Sequence, residues 1–287
     1  MAYNEAANIG RTLEALVSQR TSSVAVTEIV VVASGCTDRT ESIVQDWARR
    51  DPRIRLMVQA RREGKCSAIN QYLPQARENI LVLCGADLLP EPEAIEALVA
   101  PFADPAVGIT TGRPVPVNDP RTFMGFAAHM LWNLHHEINR RGFKAGEMIA
   151  FRKIFERVSI FSAVDEARIE PIIRGQGYEA HYAPGAIIHN KGPVTVGDFL
   201  RQRRRIYSGH LVLRHTMSYT VGTMSGLKIL GILLTRLDWR PRPFVWTWSV
   251  AALEVYGRFL GWRDYRQRRD HTVWEVATTT KDLMAGR

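Results

Sequence analysis

The chain is poor in cysteine and begins with a polar segment. Its three cysteines, Cys36, Cys66 and Cys84, all lie in the first third of the 287 residues, without the spacing of a metal site. They are expected to be reduced thiols of a cytosolic protein rather than a disulfide framework. The first residues, MAYNEAANIGRTLEAL, indicate a helix start, whereas a secretory signal peptide would carry an apolar segment here.

Long uncharged apolar runs are also missing. Residues 219–235 are interrupted by Lys228, and residues 243–262 are interrupted by Glu254 and Arg258. A membrane-spanning helix needs about 20 predominantly apolar residues, and neither stretch reaches that length without a charge. Two interpretations stay open: amphipathic helices that lie on a membrane surface, and a helical subdomain packed on the core.

Charge is distributed unevenly along the chain, whose net charge is +9. Residues 191–287 hold 17 Lys and Arg against 7 Asp and Glu, whereas residues 1–190 hold 21 against 22. Five of the seven tryptophans also follow residue 191. A basic segment can meet nucleic acid, anionic lipid or an anionic substrate. Because tryptophan mixed with arginine is typical of membrane interfaces, the composition favours an anionic membrane surface over nucleic acid as a partner.

Strand and helix patterns alternate through the first part of the chain. Short β-branched or alternating runs predict strands at residues 27–34, 53–58, 79–84 and 107–114. Segments with helical spacing of apolar residues lie between them. This alternation is typical of an α/β fold with a Rossmann-like, mostly parallel sheet flanked by helices. In such sheets ligands bind beyond the carboxyl ends of the strands.

One strand ends abruptly in a small residue and an acid. The apolar run at 80–84 is followed by Gly85, Ala86 and Asp87. Aspartate is a common turn residue, so a simple end of the strand is one interpretation. The other is that the strand presents the Asp87 carboxylate to a ligand at the sheet edge, and we favour this second interpretation.

Seven short motifs occur in order along the chain. They are AYNEAANIG, VVVASGCTDRT, REGKCSAIN, LCGADLLPEPEAI, GEMIAFRK, VDEARIE with RGQGY, and QRRRIYSGH. This series resembles the family-2 glycosyltransferases, inverting enzymes with the GT-A fold, here of the cell-envelope or polysaccharide type. The resemblance implies a GT-A-like domain at 1–210 and leaves a basic, aromatic-rich helical region at 211–287, a candidate for membrane association. Because an apolar strand normally precedes AYNE in this family, we expect the native chain to begin further upstream.

The resemblance implies a pocket for a nucleotide sugar. Tyr3 and Glu5 match the first motif of the family, which lines the nucleotide pocket. In the second motif, Ala33 or Ser34 replaces the acid that usually meets the base or ribose, and the Ser34 hydroxyl is left for such a contact. Lys65 matches the Gly-Lys loop of the family and is expected to lie against the donor pyrophosphate as a point charge.

The resemblance also implies a metal site. Residues 85–87 occupy the place of the family's Asp-x-Asp, with Gly85 in the position of the first acid. Asp87 is therefore expected to hold Mg²⁺ or Mn²⁺ against the pyrophosphate. His189 is a further candidate to approach the metal, although a single histidine is more often structural. Asp38 is interpreted as a cap of the following helix.

Inverting sugar transfer needs a general base on the acceptor hydroxyl. The resemblance implies that Asp165 and Glu166 supply it, although acids also stabilise a helix start without any catalytic role. Arg204 and Arg205 are expected to face the donor phosphates or, alternatively, anionic lipid headgroups. Ile206 replaces the tryptophan that lines the acceptor site of processive synthases, which argues against processive synthesis.

We therefore predict a metal-assisted, inverting glycosyltransferase on the cytoplasmic face of the cell membrane. It would move a sugar from a UDP- or GDP-sugar to a glycan or lipid-linked acceptor. The missing acids at positions 33 and 85 keep an alternative open, a catalytically impaired sugar-nucleotide-binding or scaffold protein. A nucleotidyltransferase would want a glycine-rich basic loop after its first strand, and none is visible. A nucleic-acid-binding protein does not suit the near-neutral residues 1–190.

Overall fold

The computed structural model describes residues 1–159, 166–219, 222–269, 280, 282 and 283, with the backbone alone at Glu166 and Thr223. The strands are Ile29–Ser34 (β1), Ile54–Gln59 (β2), Ile80–Leu83 (β3), Leu89–Pro90 (β4), Val107–Pro116 (β5), Ile149–Arg152 (β6) and Glu179–Asn190 (β7). The α-helices are Ile9–Val17 (α1), Thr40–Arg50 (α2), Lys65–Tyr72 (α3), Ala94–Val99 (α4), Phe123–Asn139 (α5), Glu166–Gly175 (α6), Val196–Met217 (α7), Gly226–Thr235 (α8) and Pro241–Arg266 (α9). Short 3-10 helices lie at Leu73–Gln75, Ala100–Ala103 and Gly222–Met224.

The strands form two hydrogen-bonded groups. One consists of β1 and β2, which pair in parallel, and the other has the order β3-β6-β5-β7-β4. The first two residues of the chain lie between the groups. Ala2 pairs with Ala33 of β1, and the Met1 amino group donates to the Cys84 carbonyl oxygen at 3.4 Å. The end of β3 is thereby joined to the end of β1.

The α/β architecture is confirmed, whereas the strand pairing is mixed rather than mostly parallel. β1 with β2 and β5 with β7 are parallel, but β6 runs antiparallel to both β3 and β5, and β4 runs antiparallel to β7. Leu83, the last residue of β3, lies opposite Ile149, the first residue of β6. Because β6 starts at the edge where β3 ends, it must run back antiparallel. A parallel strand would need a crossover to the opposite edge first.

Apolar residues pack on both faces of the larger strand group. In β6, Ile149 and Phe151 belong to the core cluster on one face, whereas Ala150 belongs to the cluster on the other. This alternation follows from the two-residue period of a strand. Ile169 and Ile173 of α6, one helical turn apart, cover the first face, and α4 covers the second. The helices therefore bury the sheet and leave its strand ends for a ligand.

The long C-terminal helices pack over one end of this core. α7 lies against α9, and Trp246 of α9 meets Phe123 and Phe126 of α5 edge-on, with ring centroids 5.7 and 5.5 Å apart. α7 is continuous through residue 210, so the division at that residue stays a prediction. Within the described part of the chain, no helix combines the length and the hydropathy that crossing a membrane requires.

Candidate active site

A cavity of about 330 Å³ lies at the carboxyl ends of β1, β2 and β3, beneath α7. Its wall contains all the side chains that the sequence assigned to donor binding: Tyr3, Glu5, Ser34, Lys65, Asp87, Arg204 and Arg205. They come from distant parts of the chain and meet here because parallel strands end at the same sheet edge. The roles of these residues remain predictions, but their convergence is a property of the fold.

The end of β1 holds the loop that leads to Lys65. Ser34, the last residue of β1, donates from its hydroxyl to the Arg61 carbonyl oxygen at 3.3 Å and accepts from the Glu63 amide at 3.4 Å. The next residue, Gly35, has φ +63°, and a Cβ there would lie 2.6 Å from the Arg62 nitrogen. The loop therefore approaches β1 too closely for a larger residue. The Ser34 hydroxyl thus forms hydrogen bonds with the backbone of the loop, and these bonds limit its availability to a ligand.

Lys65 and Asp87 face the same part of the cavity. Lys65 is the first residue of α3, and Asp87 follows β3. The thiol of Cys84 lies among the charges of Asp87, Lys65 and Glu147. Burial, with the two carboxylates, raises its pKa to about 12, whereas Lys65 acts in the opposite direction. The thiol is therefore neutral at physiological pH. A cation and two carboxylates around one strand end form a site that could hold a metal-bound phosphate.

Tyr3 and Glu5 are both partly committed to protein contacts. The Arg62 guanidinium lies 4.0 Å from the centroid of the Tyr3 ring and covers one face of it. Glu5 is 5% exposed, and its carboxylate accepts a hydrogen bond of 3.0 Å from the Asn8 side chain. Glu5 therefore stabilises the start of α1 as well as lining the cavity.

The two arginines of α7 reach the cavity in different ways. Arg204 forms a two-pronged ion pair with Asp264 of α9, which is fully buried. α9 thereby fixes the position of Arg204 over the cavity. Arg205 also lines the cavity, as does Ile206, the residue in the place of the tryptophan of processive synthases.

The predicted general base falls at the limit of the described structure. Asp165 lies outside the described residues, and Glu166 is described only as the first residue of α6. Ala167, the next residue, lines the cavity. The start of α6 is therefore beside the cavity.

Comparison with known families identifies the chain. A family model described as Glycosyl transferase family 2 matches residues 1–167. The chain belongs to this family. It is therefore a glycosyltransferase, and its GT-A-like fold is confirmed. A comparison with curated proteins gives no match.

Solved structures of other glycosyltransferases are similar to this chain. A mannosyltransferase from Pyrobaculum calidifontis, solved with GDP-Man and Mn²⁺, has a TM-score of 0.59 and 23% identity, over 100% of this chain and 86% of that one. Glucosyl-3-phosphoglycerate synthase from Mycobacterium tuberculosis, solved with Mn²⁺, UDP and glucosyl-3-phosphoglycerate, has a TM-score of 0.48 and 16% identity, over 72% and 75% of the two chains.

The glycosyltransferase cavity has a second end that the sequence did not predict. It is lined by Trp132, His135, Lys144 and His210, from α5, the loop before β6, and α7. His135 and His136 are neighbours on α5 with different surroundings. His136 contacts the Tyr182 hydroxyl at 2.6 Å, whereas His135 is buried at the cavity wall. In the sequence, only the GEM motif at residues 146–148 indicated that the loop before β6 belongs to the site.

Charge at this second end is set by burial. Burial lowers the pKa of His210 to about 3 and that of Lys144 to about 8, and it also lowers the pKa of His135. Both histidines are therefore neutral at pH 7, whereas Lys144 is partly to mostly protonated. One cation and two neutral imidazoles therefore line this end of the cavity.

The side chains of the glycosyltransferase offer few ligands for a metal. Among the described residues, no group of three or more His, Cys, Asp or Glu could hold an ion by itself. His189 does not line this cavity, and its Nε2 contacts Glu91 at 3.0 Å, so its approach to a metal stays a prediction without support from this wall. Asp87 and Glu147 remain as hard oxygen ligands, a set that suits an ion completed by phosphate oxygens.

Proposed function

We propose that this glycosyltransferase moves a sugar from a UDP- or GDP-sugar to a glycan or lipid-linked acceptor, with inversion at the sugar carbon. The observation that carries the proposal is the convergence of Lys65 and Asp87 on one cavity at the strand ends. A diphosphate carries negative charge that needs a cation on the protein and a metal ion between phosphate oxygens. Lys65 supplies the cation, and Asp87 holds the metal ion.

Asp87 would hold Mg²⁺ or Mn²⁺, with Glu147 as a second oxygen donor in the same wall. Such an ion, when bound, neutralises the charge that develops on the departing diphosphate. Carboxylates and phosphate oxygens are its preferred ligands. The fold relative from Pyrobaculum calidifontis was solved with Mn²⁺, which supports this assignment.

The acidic pair at the start of α6, Asp165 and Glu166, would take the proton of the acceptor hydroxyl. The hydroxyl oxygen bonds to the anomeric carbon while the bond to the diphosphate breaks, and the nucleoside diphosphate leaves. Ala167 in the cavity wall supports this assignment, because it brings the start of α6 to the site.

The second candidate function is a sugar-nucleotide-binding or scaffold protein without catalysis. It rests on Gly85 and on Ala33 or Ser34, which stand where the family carries acids. Both candidates bind the donor, so turnover separates them. Release of the nucleoside diphosphate that depends on Asp165 or Glu166 would favour the enzyme.

We also propose that α9 attaches the enzyme to the cytoplasmic face of the membrane. One side of α9 exposes an apolar stripe that consists of Val245, Trp248, Val255, Phe259 and Trp262, each between 39% and 68% exposed. Spacings of three, four and seven residues put them on one face of a helix of about 39 Å.

Arginines stand at both ends of the apolar stripe, at positions 240, 242, 263 and 266. Leu227, Leu230 and Leu234 of α8 add further exposed apolar surface. An apolar face with aromatic residues and flanking arginines suits an anionic bilayer surface, in which the rings enter the headgroup layer and the arginines meet phosphate.

Titration of the full-length protein with UDP, GDP and their sugars, with and without Mn²⁺, tests donor binding. We expect Mn²⁺-dependent binding that Asp87→Asn abolishes. Asp46→Asn, on the exposed side of α2, is the matched control and should bind as the wild type does. Binding that Asp87→Asn leaves intact would refute the metal assignment, and a folded protein that binds no nucleotide would refute the donor site.

A further inference from the structure

Cationic side chains at the cavity exceed what a donor diphosphate needs. Besides Lys65, the wall contains Lys144, Lys191, Arg201, Arg204, Arg205 and Arg269. Its carboxylates are Glu5, Asp87 and Glu147. Several of these cations already have protein partners: Arg204 pairs with Asp264, Arg201 pairs with Asp198, and Lys191 donates to the Asp282 carbonyl oxygen.

Lys144 is the clearest member of this excess. Among the described residues, no carboxylate lies within ion-pair distance of its ammonium group. Burial lowers its pKa, and Arg203 adds to this effect, whereas Glu254 and Glu147 oppose it. A buried ammonium group without a paired anion is costly, and a bound anion would remove that cost.

The neighbours of Lys144 are suited to an oxyanion. His135 and His210 are 4% and 6% exposed, and the charge of Lys144 acts on both. Burial keeps these imidazoles neutral, so each has one ring N–H. That of His135 bonds to the Ala145 backbone, whereas that of His210 can donate to an anionic oxygen. A cation beside a neutral donor is suited to phosphate, in which several oxygens need donors at once.

Two sets of charges mark two ends of the cavity. The side-chain charges that affect the pKa of Cys84 are those of Asp87, Lys65 and Glu147. The charges that most affect the pKa of Lys144 lie on α7, on α9 and at Glu147. Glu147 therefore lies between a donor end and a second end. Lys144 and Ala167 line the same wall, so the second end shares the cavity with the start of α6.

We propose that Lys144, with His210, binds a phosphate group carried by the acceptor. The cavity then holds two anionic substrates at once, the donor diphosphate against Lys65 and the acceptor phosphate against Lys144. This inference rests on the proposed function, because it assigns the second end of the same site. The phosphate belongs either to a water-soluble phosphate ester or to a lipid phosphate.

Calorimetric titration of inorganic phosphate tests the site, on the full-length protein with and without saturating nucleoside diphosphate and Mn²⁺. We expect phosphate to bind in both states. Lys144→Gln should weaken phosphate binding by about tenfold or more, and nucleotide binding by less than about twofold, since one charged hydrogen bond is lost at one end only. Lys144→Arg, which keeps the charge, should retain phosphate binding. Lys228→Gln, on the exposed side of α8, is the matched control.

Several results would overturn the proposal. Phosphate that displaces the nucleotide one for one would show a single anion site, and equal phosphate binding by wild type and Lys144→Gln would show that Lys144 is not the ligand. Failure of the proposed function looks different, because nucleotide would not bind while Lys144-dependent phosphate binding persists. A thermal unfolding midpoint for each variant separates loss of the site from loss of the fold.

The source of the phosphate is tested with two further probes, glucose 1-phosphate and dihexanoyl phosphatidic acid. Stronger Lys144-dependent binding of the sugar phosphate supports a soluble acceptor. Stronger Lys144-dependent binding of the lipid supports a lipid-borne acceptor, which agrees with a membrane-attached α9. If neither binds in a Lys144-dependent way, the acceptor phosphate is refuted.

Discussion

The carboxylate of Asp87 lies against the α-carbon of Gly85: a Cβ added to Gly85 would stand 2.6 Å from Asp87 Oδ1. Gly85 occupies the position at which the family usually carries an acid. Its lack of a side chain is therefore part of how Asp87 is held, since any larger residue would displace the carboxylate. In the proposed metal site, Asp87 is therefore the one acid of this motif, and Gly85 leaves room for its carboxylate.

Gly85→Ala should consequently impair metal binding. We expect Mn²⁺-dependent binding of the donor nucleotide to weaken by about tenfold, or ~1.4 kcal/mol, because the methyl group moves the Asp87 carboxylate. Calorimetry with and without Mn²⁺ measures the change. Gly10→Ala, on α1, is the control, since its nearest neighbours would be 3.8 Å away. Unchanged Mn²⁺ dependence in Gly85→Ala would mean that this position of the carboxylate is not the one that binds metal.

The ion pair between Arg204 and Asp264 should be important for stability. Asp264 is fully buried, so Asp264→Ala leaves the Arg204 charge without its partner in a poorly hydrated place. We expect the free energy of unfolding in urea to fall by about 3–5 kcal/mol. The exposed pair of Arg240 and Asp238 provides the control, because solvent screens such pairs and Asp238→Ala should change little.

Replacing both partners distinguishes the pair from general packing. Arg204→Met combined with Asp264→Leu removes both charges and keeps apolar volume, so it should recover most of the stability lost in Asp264→Ala. If the double variant is as unstable as the single one, the ion pair is not the cause of the loss.

The location of the donor side chains was predictable from the sequence, and the physical reason is the sheet. Ser34 is the last residue of β1, and Lys65 and Asp87 come after β2 and β3. Because β1 and β2 are parallel, their ends share an edge. Asp38 was likewise expected to stabilise the start of α2. Its carboxylate accepts from the Thr40 amide at 2.9 Å and from the Ala6 amide at 3.0 Å. The positions of such residues can be predicted from the few residues around them in the sequence.

The second end of the cavity was not predictable, because it depends on long-range packing. Lys144, His135 and His210 come from three segments whose distance in space follows only from the packing of α7 and α9 over the sheet. The direction of β6 was missed for the same reason. β6 has only four residues, and nothing in their sequence indicates at which edge of the sheet the strand begins. Its direction could therefore not be predicted.

The buried His210 should make stability depend on pH. Burial lowers its pKa from 6.5 to about 3 in the folded protein. Between these values the unfolded chain binds a proton that the folded chain does not, so stability is lost as the pH falls. We expect a slope of up to about 1.4 kcal/mol per pH unit from this residue below pH 6.5.

Urea unfolding of wild type and His210→Gln from pH 7 to pH 4 measures this contribution as a difference in slope. The variant should lose less stability on acidification than the wild type does. His215→Gln, an exposed histidine on the same helix, should keep the wild-type slope. Parallel slopes for wild type and His210→Gln would contradict a neutral, buried His210.

The apolar stripe of α9 should determine attachment to membranes. Val255→Glu combined with Phe259→Glu places two charges in the middle of the stripe, where both residues are more than half exposed. Because burying one large apolar side chain contributes about 1.5–3 kcal/mol, binding to anionic vesicles should fall by tenfold or more. Co-sedimentation with vesicles of phosphatidylcholine and phosphatidylglycerol measures it.

The control has to add charge without touching the stripe. Val58→Glu, on β2, changes a residue that is 49% exposed and apolar but lies far from α9 in the fold. It should sediment with vesicles as the wild type does, and both variants should keep donor binding, since neither residue lines the cavity. Binding by the wild type should also weaken with salt, because the arginines at positions 240 and 263 meet anionic headgroups. If the double variant sediments like the wild type, the exposed face of α9 is not a membrane surface, and a protein partner becomes the occupant to seek.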